Sequence, residues 1–519
     1  MRFVRAIVLG CWVPISWCLL SVANAEVSLP SVIGDNMVLQ REIKNPIWGW
    51  AAPGEEVTVS VQDQTLRTHA ADNGGWRVDL EPLPTGGPHE ITISGTNTLT
   101  LKNILVGEVW VCSGQSNMEW PVERSNNPEG EIAAANYPQI RLYTAQRTIA
   151  SKPRSDVEGG WVECGPQTVG GFSAVGYFFG RALHYHLNIP IGLVQTAWGG
   201  TPSEAWTSPE KVASEPAFSP LAEYWNGRIG RFDGALDDYR AQLDEWETAS
   251  NAAEEAGYPF PDKPKFPDDP RVLPHRITGL YNGMIYPLVP LAIRGAIWYQ
   301  GESNASRAYQ YRKIFPAMIE SWRAAWGGSD FPFYFVQLAN FKEVQEEPGE
   351  SEWAELREAQ TRTLSLPNTG MATIIDIGEA NDIHPRNKQD VGWRLGLVAL
   401  SDAYGWNIYN SGPMYQSMQT DGGAIRVSFD HAAGLKTSDG GPLKGFAIAG
   451  EDKEFHWADA AIDGETVVVS SSDVSNPVAV RYAWADNPVC NLTNVSGLPA
   501  SPFRTDDWPG ETADVETPK

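Results

Sequence analysis

The chain has 519 residues, 42% of them hydrophobic and 20% charged. This excludes a disordered chain and exceeds the roughly 100–200 residues of one ordinary domain, so two to four domains are expected, with cores that need no disulfide or metal. A formal net charge of −25 excludes nucleic-acid recognition through a basic surface.

Arg2 and Arg5 precede an apolar run from Ala6 to Val22, interrupted by Gly10, Pro14 and Ser16, and Ala23-Asn24-Ala25 offers small residues for cleavage. Residues 1–25 therefore read as a signal peptide cleaved after Ala25, which predicts a secreted or periplasmic protein. No later stretch approaches the ~20 apolar residues needed to cross a bilayer, so no membrane insertion is expected after cleavage. Beyond residue 25 the cysteines are Cys112, Cys164 and Cys490, which allow one disulfide in an oxidising compartment. No Cys-x-x-Cys or His-x-x-x-His spacing occurs, and neither a metal nor any other cofactor is predicted.

Residues 26–105 read as a β-domain of sandwich type. Val57–Val61 and Glu90–Ser94 alternate as half-buried strands do, between turns at Pro53-Gly54, Asn73-Gly74-Gly75 and Gly86-Gly87-Pro88. From 106 to 408 the pattern becomes α/β. Strands are expected at Val109–Cys112, Ile191–Ala197, Ile293–Tyr299, Phe333–Leu338 and Met371–Ile377. Helices are expected at Ser173–His186, Ala308–Trp326, Ser351–Leu364 and Lys388–Ala403. Such alternation predicts a parallel sheet covered on both faces. An insertion, 208–274, carries a charged helix near Ala235–Ala256 and a proline-rich strap, Pro259–Pro274. Residues 409–509 return to strands (Ile425–Phe429, Thr466–Ser470, Val478–Ala483) as a second β-module able to pack on the first, and the acidic tail 510–519 reads as frayed.

Four polar loops follow four predicted strands and would open on one edge of the sheet, where open α/β sheets bind ligands. In the first, Ser113-Gly114-Gln115-Ser116-Asn117-Met118, a sharp turn would lift the Ser116 hydroxyl and aim backbone N–H groups beside it, as an oxyanion requires. Met118 stands where the Gly-x-Ser-x-Gly elbow has its second glycine, and Ser116 reads equally as a helix cap. In the second, Trp198-Gly199-Gly200-Thr201-Pro202, paired glycines permit either close approach to a ligand or a plain turn. The third, Trp298-Tyr299-Gln300-Gly301-Glu302-Ser303-Asn304, offers Gln300 and Asn304 as amide donors and Glu302 as an acid, an orienting group or a substrate contact. The fourth, Asp376 to Pro385, puts His384 two residues after Asp382, and a neighbouring carboxylate holds imidazole in the tautomer that accepts a serine proton.

Taken together, these four motifs resemble the sialate O-acetylesterase family, a branch of the SGNH hydrolases that also holds acetylesterases of plant polysaccharides. The similarity runs from about Met37 to Trp508. It implies a flavodoxin-like catalytic domain, an acetylated carbohydrate as substrate, and cofactor-free Ser/His chemistry through an acetyl-serine intermediate. Carried over by position, Ser116 is the nucleophile and His384 the general base and acid, and the oxyanion donors are the N–H groups of Ser116 and Gly200. The superfamily's Gly-x-Asn donor is replaced here by Ser303, so Gln300 is expected to substitute, with Asn304 the alternative. Its Asp-x-x-His pattern has Asn381 in the acid's place, so Asp382 is expected to orient His384, with Asp376 and Glu302 as alternatives. Asn304, Glu302 and Trp198 are expected at the sugar. Two other readings are an esterase for other short acyl esters and a non-catalytic carbohydrate-binding protein. The sequence names neither the sugar nor the oligomeric state.

Overall fold

The computed structural model describes residues 26–518, and the expected signal peptide lies outside them. Strand β1 (Thr98–Gly114) changes character along its length. Exposed and covered positions mix from Thr98 to Asn103, whereas every residue from Ile104 to Gly114 is buried. One-sided cover suits an antiparallel sheet and two-sided cover a parallel one. The first half pairs antiparallel with Gly86–Ser94, which with Glu56–Val61 and Gln64–His69 forms one sheet of the N-terminal module; Asn45–Trp50 and Gly75–Leu80 form a second. The second half of β1 pairs parallel with two strands of the central sheet. The expected boundary at 105/106 thus falls inside one strand, and a single apolar core runs through both parts. Glu108, fully buried on this strand, is held by Arg41 and Arg294.

The central sheet also contains β2 (Tyr137–Thr144), β3 (Trp161–Cys164), β4 (Ile191–Ala197), β5 (Gly295–Tyr299), β6 (Phe333–Val336) and β7 (Thr369–Ala372), in the order β7-β6-β5-β1-β4-β2-β3. All pairs are parallel except the edge pair of β2 with β3, so the sheet is mixed rather than wholly parallel as expected. Neither β2 nor β3 is legible in the sequence. Pro138, Gln139 and Arg141 hide β2, and buried Arg141 is satisfied by the nearby Pro138 carbonyl and by the distant carbonyls of Asn36 and Asn103.

The helices that frame the sheet and the insertion are α1 (Ser116–Glu119), α2 (Ala174–Leu187), α3 (Ser219–Ala256), α4 (Ala308–Ala325), α5 (Glu352–Thr363) and α6 (Lys388–Asp402); two shorter ones span Pro128–Ala134 and Pro209–Ser214. Ser173 and Ser351 cap α2 and α5 by accepting the N–H of Gly176 and Ala354. Trp110 meets Phe179 of α2 on one face of the sheet, while Trp298 meets Phe315 and Trp322 of α4 on the other. The insertion helix starts at Ser219, sixteen residues before the expected start. Gly227, Gly230 and Gly234 mask it, but Leu221, Trp225 and Phe232 anchor its first half.

Two four-stranded antiparallel sheets build the C-terminal module around a core of its own. It docks on the α/β layer. Arg357 of α5, fully buried, donates to the carbonyls of Leu338 and Ala339 and to those of Ala485 and Asp486 in the C-terminal module. One expectation fails here: the tail is ordered against α4 and α5, since buried Thr512 bonds Glu355 and the Tyr309 N–H. The disulfide that the sequence left open is absent among the described residues, where Cys112, Cys164 and Cys490 are free thiols.

Candidate active site

Strand β1 ends at Gly114 with φ near +140°, and a side chain there would run into the backbone of Tyr299, so the turn needs glycine. Gln115 N–H donates to Tyr299 O and Trp198 N–H to Gly114 O, each near 3 Å. These bonds bring the ends of β1, β4 and β5 together at the carboxyl edge of the sheet. Ser116 opens α1 from this turn, and its Oγ lies 2.8 Å from His384 Nε2. Among the described residues, neither the Ser116 nor the Gly200 N–H donates to a protein acceptor. Gly199 is close enough that an added Cβ would sit 3.2 Å from Ser116 Cβ, and Gly200 has φ +75°.

The short helix α1 holds the other loops. Asn117 Nδ2 donates to Glu302 Oε1 at 2.6 Å and to Ile383 O at 3.0 Å, while its Oδ1 accepts from Lys388 Nζ at 2.6 Å. One amide thus ties the His384 loop, the Glu302 loop and α6 to the helix that begins at Ser116. Glu119 accepts from Gly199 N–H at 2.9 Å and also binds Arg147, whose guanidinium lies over the Trp198 ring. Trp120 stacks on His384, with ring centroids 4.9 Å apart and planes 11° from parallel.

Burial lowers the pKa of His384, and the nearby Lys388 ammonium lowers it further against the opposing pull of Asp382. Burial also pulls Lys388 down to about 7, despite Glu302. Burial raises Glu302, whose Oε2 is enclosed without a hydrogen-bond partner. The imidazole is therefore biased toward the neutral form that can take a proton.

Asp382 Oδ1 accepts the His384 backbone N–H at 2.8 Å and stands 3.5 Å from Nδ1, a looser contact than a formed hydrogen bond. Asp376 faces away and forks onto Arg394. Trp198 and Glu302 lie at the site, partly exposed. Gln300 and Asn304 do not, which corrects their expected roles. Both are fully buried. Gln300 Nε2 is spent on Thr201 O and Asn304 Oδ1, and its Oε1 accepts from Tyr311. Asn304 binds Ser203 N–H and Glu204, which is paired with Arg307. These amides brace the floor behind the site, because the Thr201–Glu204 segment and Tyr311 of α4 bring polar partners that the loop's own sequence does not show. Asn117, Glu119 and Lys388 were missed as functional residues. Asn117 and Glu119 lay in or beside the serine motif, and Lys388 lay four residues after His384 in the sequence, but their roles need partners from other loops. Among the described residues, no group of three or more His, Cys, Asp or Glu is arranged to hold a metal ion, and no helix is long and apolar enough to cross a membrane.

A family model described as a carbohydrate esterase, sialic acid-specific acetylesterase, matches residues 106–225 and 276–397, and so omits most of α3 and the strap. The chain is 32% identical to sialate O-acetylesterase of Rattus norvegicus over 91% of this chain and 93% of that protein. It is 31% identical to the Homo sapiens protein of the same name over 93% and 94%. A crystal structure of a carbohydrate acetylesterase from Xanthomonas citri superposes with a TM-score of 0.79 at 39% identity, covering 93% of this chain and all of that one.

Proposed function

Because the chain belongs to the sialate O-acetylesterase family of carbohydrate esterases, we propose that it releases acetate from an O-acetylated sugar through an acetyl-Ser116 intermediate. The observation that carries this is the 2.8 Å contact of Ser116 Oγ with His384 Nε2 beside two backbone N–H groups that no acceptor among the described residues uses. The five strands β4-β1-β5-β6-β7, numbered among themselves in chain order, run 2-1-3-4-5. That is the flavodoxin-like order, with ligands bound beyond the carboxyl ends, and it supports an SGNH-type assignment.

In the reaction, His384 Nε2 takes the Ser116 proton as Oγ attacks the acetyl carbonyl carbon. The N–H groups of Ser116 and Gly200 stabilise the tetrahedral oxyanion. His384 then gives the proton to the departing sugar oxygen, leaving Ser116 acetylated. Water, deprotonated by His384, attacks the acetyl group; collapse expels Ser116 Oγ, which regains its proton, and acetate leaves. The reading includes export of the mature chain, supported by the first 25 residues.

The test is acetate release from acetylated sialosides, xylan, xyloglucan and pectin by wild type and Ser116→Ala, with intact-mass detection of a +acetyl species. Release abolished by Ser116→Ala, with the adduct trapped on Ser116, is expected. A rate that Ser116→Ala leaves intact would rule the mechanism out, and a preference for nitrophenyl esters of long acyl chains would rule the substrate out.

A further inference from the structure

Away from the catalytic loops, the outer surface carries a cleft of about 660 Å³ where α2 and α6 lie side by side. Its wall is aromatic and unusually bare. Tyr185 is 80% exposed and Trp393 41%, and Trp406, 38% exposed, stands just beyond. The His186 ring sits among all three, with centroids 5.0 to 5.6 Å away. Exposed apolar surface gathered in one place marks a binding face, and rings interspersed with polar groups such as His184, Asn188 and Gln389 suit a ligand that is itself amphipathic. Among the described residues that line it, Arg181 alone carries a permanent charge, and Glu131 neutralises it, so the cleft suits an uncharged occupant.

The position of the cleft says which one. Helices α2 and α6 run alongside each other, with Gly392 against Phe178 and Gly396 against Ala182. Lys388 begins α6 and reaches Asn117 beside the nucleophile. Gln389, the next residue, already lines the cleft, and Trp393 follows one turn later, about 6 Å further along the axis at 1.5 Å per residue. The cleft therefore leads from the active-site edge down the side of the domain.

We propose that this cleft binds an uncharged stretch of the polysaccharide whose acetyl group is at Ser116, with sugar rings against Trp393 and Tyr185. The proposal rests on the esterase reading above. Both side chains are exposed, so Trp393→Ala and Tyr185→Ala should fold. The double variant is expected to lose about tenfold in kcat/KM on acetylated xylan or xyloglucan, while nitrophenyl acetate, too small to reach the cleft, changes less than about twofold. Affinity electrophoresis of the Ser116→Ala protein through gels of the same polysaccharides, deacetylated, reads the cleft without catalysis. Retardation should vanish in Ser116→Ala/Trp393→Ala/Tyr185→Ala. Retardation that survives these changes overturns the cleft even if acetate release is confirmed, as does retardation only by pectin, which is charged. Equal losses on both substrates, or a dimer in size-exclusion chromatography that only the double variant dissolves, would also overturn it.

Discussion

Glu119 Oε2 accepts the Gly199 N–H at 2.9 Å, so the loop that carries Gly200, the proposed oxyanion donor, hangs from the helix that begins at Ser116, the proposed nucleophile. The carboxylate fixes where the next N–H, that of Gly200, points. Glu119→Ala should lower kcat by about 10–100-fold with KM little changed, approaching the loss of a donor itself. Glu119→Gln keeps a carbonyl acceptor for Gly199 and gives up only the Arg147 ion pair, so it should retain most of kcat. Steady-state kinetics on nitrophenyl acetate decide; equal defects in the two variants would show that charge, not the hydrogen bond, matters.

The pH dependence follows from His384 and Lys388. The base must be neutral, and burial and Lys388 both lower the imidazole pKa. Activity should therefore rise with pH through an inflection below the ordinary histidine value of about 6.5. In that range Lys388, with a pKa of about 7, is still protonated. Lys388→Gln removes the neighbouring positive charge, so protonated His384 becomes easier to form and the inflection should move up. A kcat/KM profile from pH 4 to 8 measures the shift; a move downward would contradict the electrostatic assignment.

Asp382 is the acid nearest His384 Nδ1, but the 3.5 Å separation and a side chain 47% exposed leave it solvated. Asp382→Asn should cost about tenfold in kcat, far less than the ~10⁴ seen when a buried triad acid is replaced. Asp376→Asn, which loses only its fork with Arg394, should leave kcat close to wild type. A larger effect from Asp376 would move the orienting role to it.

Arg357 gives four hydrogen bonds to carbonyls on two modules from a fully buried position. Arg357→Leu strands those acceptors, at about 1–3 kcal/mol each where no other donor or water reaches them. The variant should show a lower urea midpoint, and limited proteolysis should separate the C-terminal module before the catalytic one. Wild-type resistance in both assays would mean that other contacts carry the junction.

The serine and histidine loops were legible because each follows an apolar strand, and strand ends in an alternating α/β chain share one edge. Helices with clear apolar spacing and serine caps, such as α2 and α5, were legible for the same local reason. The sequence alone did not determine that Gln300 and Asn304 would turn inward, or that Glu119, Asn117 and Lys388 would hold the Ser116, His384 and Gly199-Gly200 loops together. Those roles depend on hydrogen-bond partners 80 to 271 residues away. A polar side chain declares its chemistry locally, but whether it faces solvent, substrate or a buried partner is decided only when distant loops close around it.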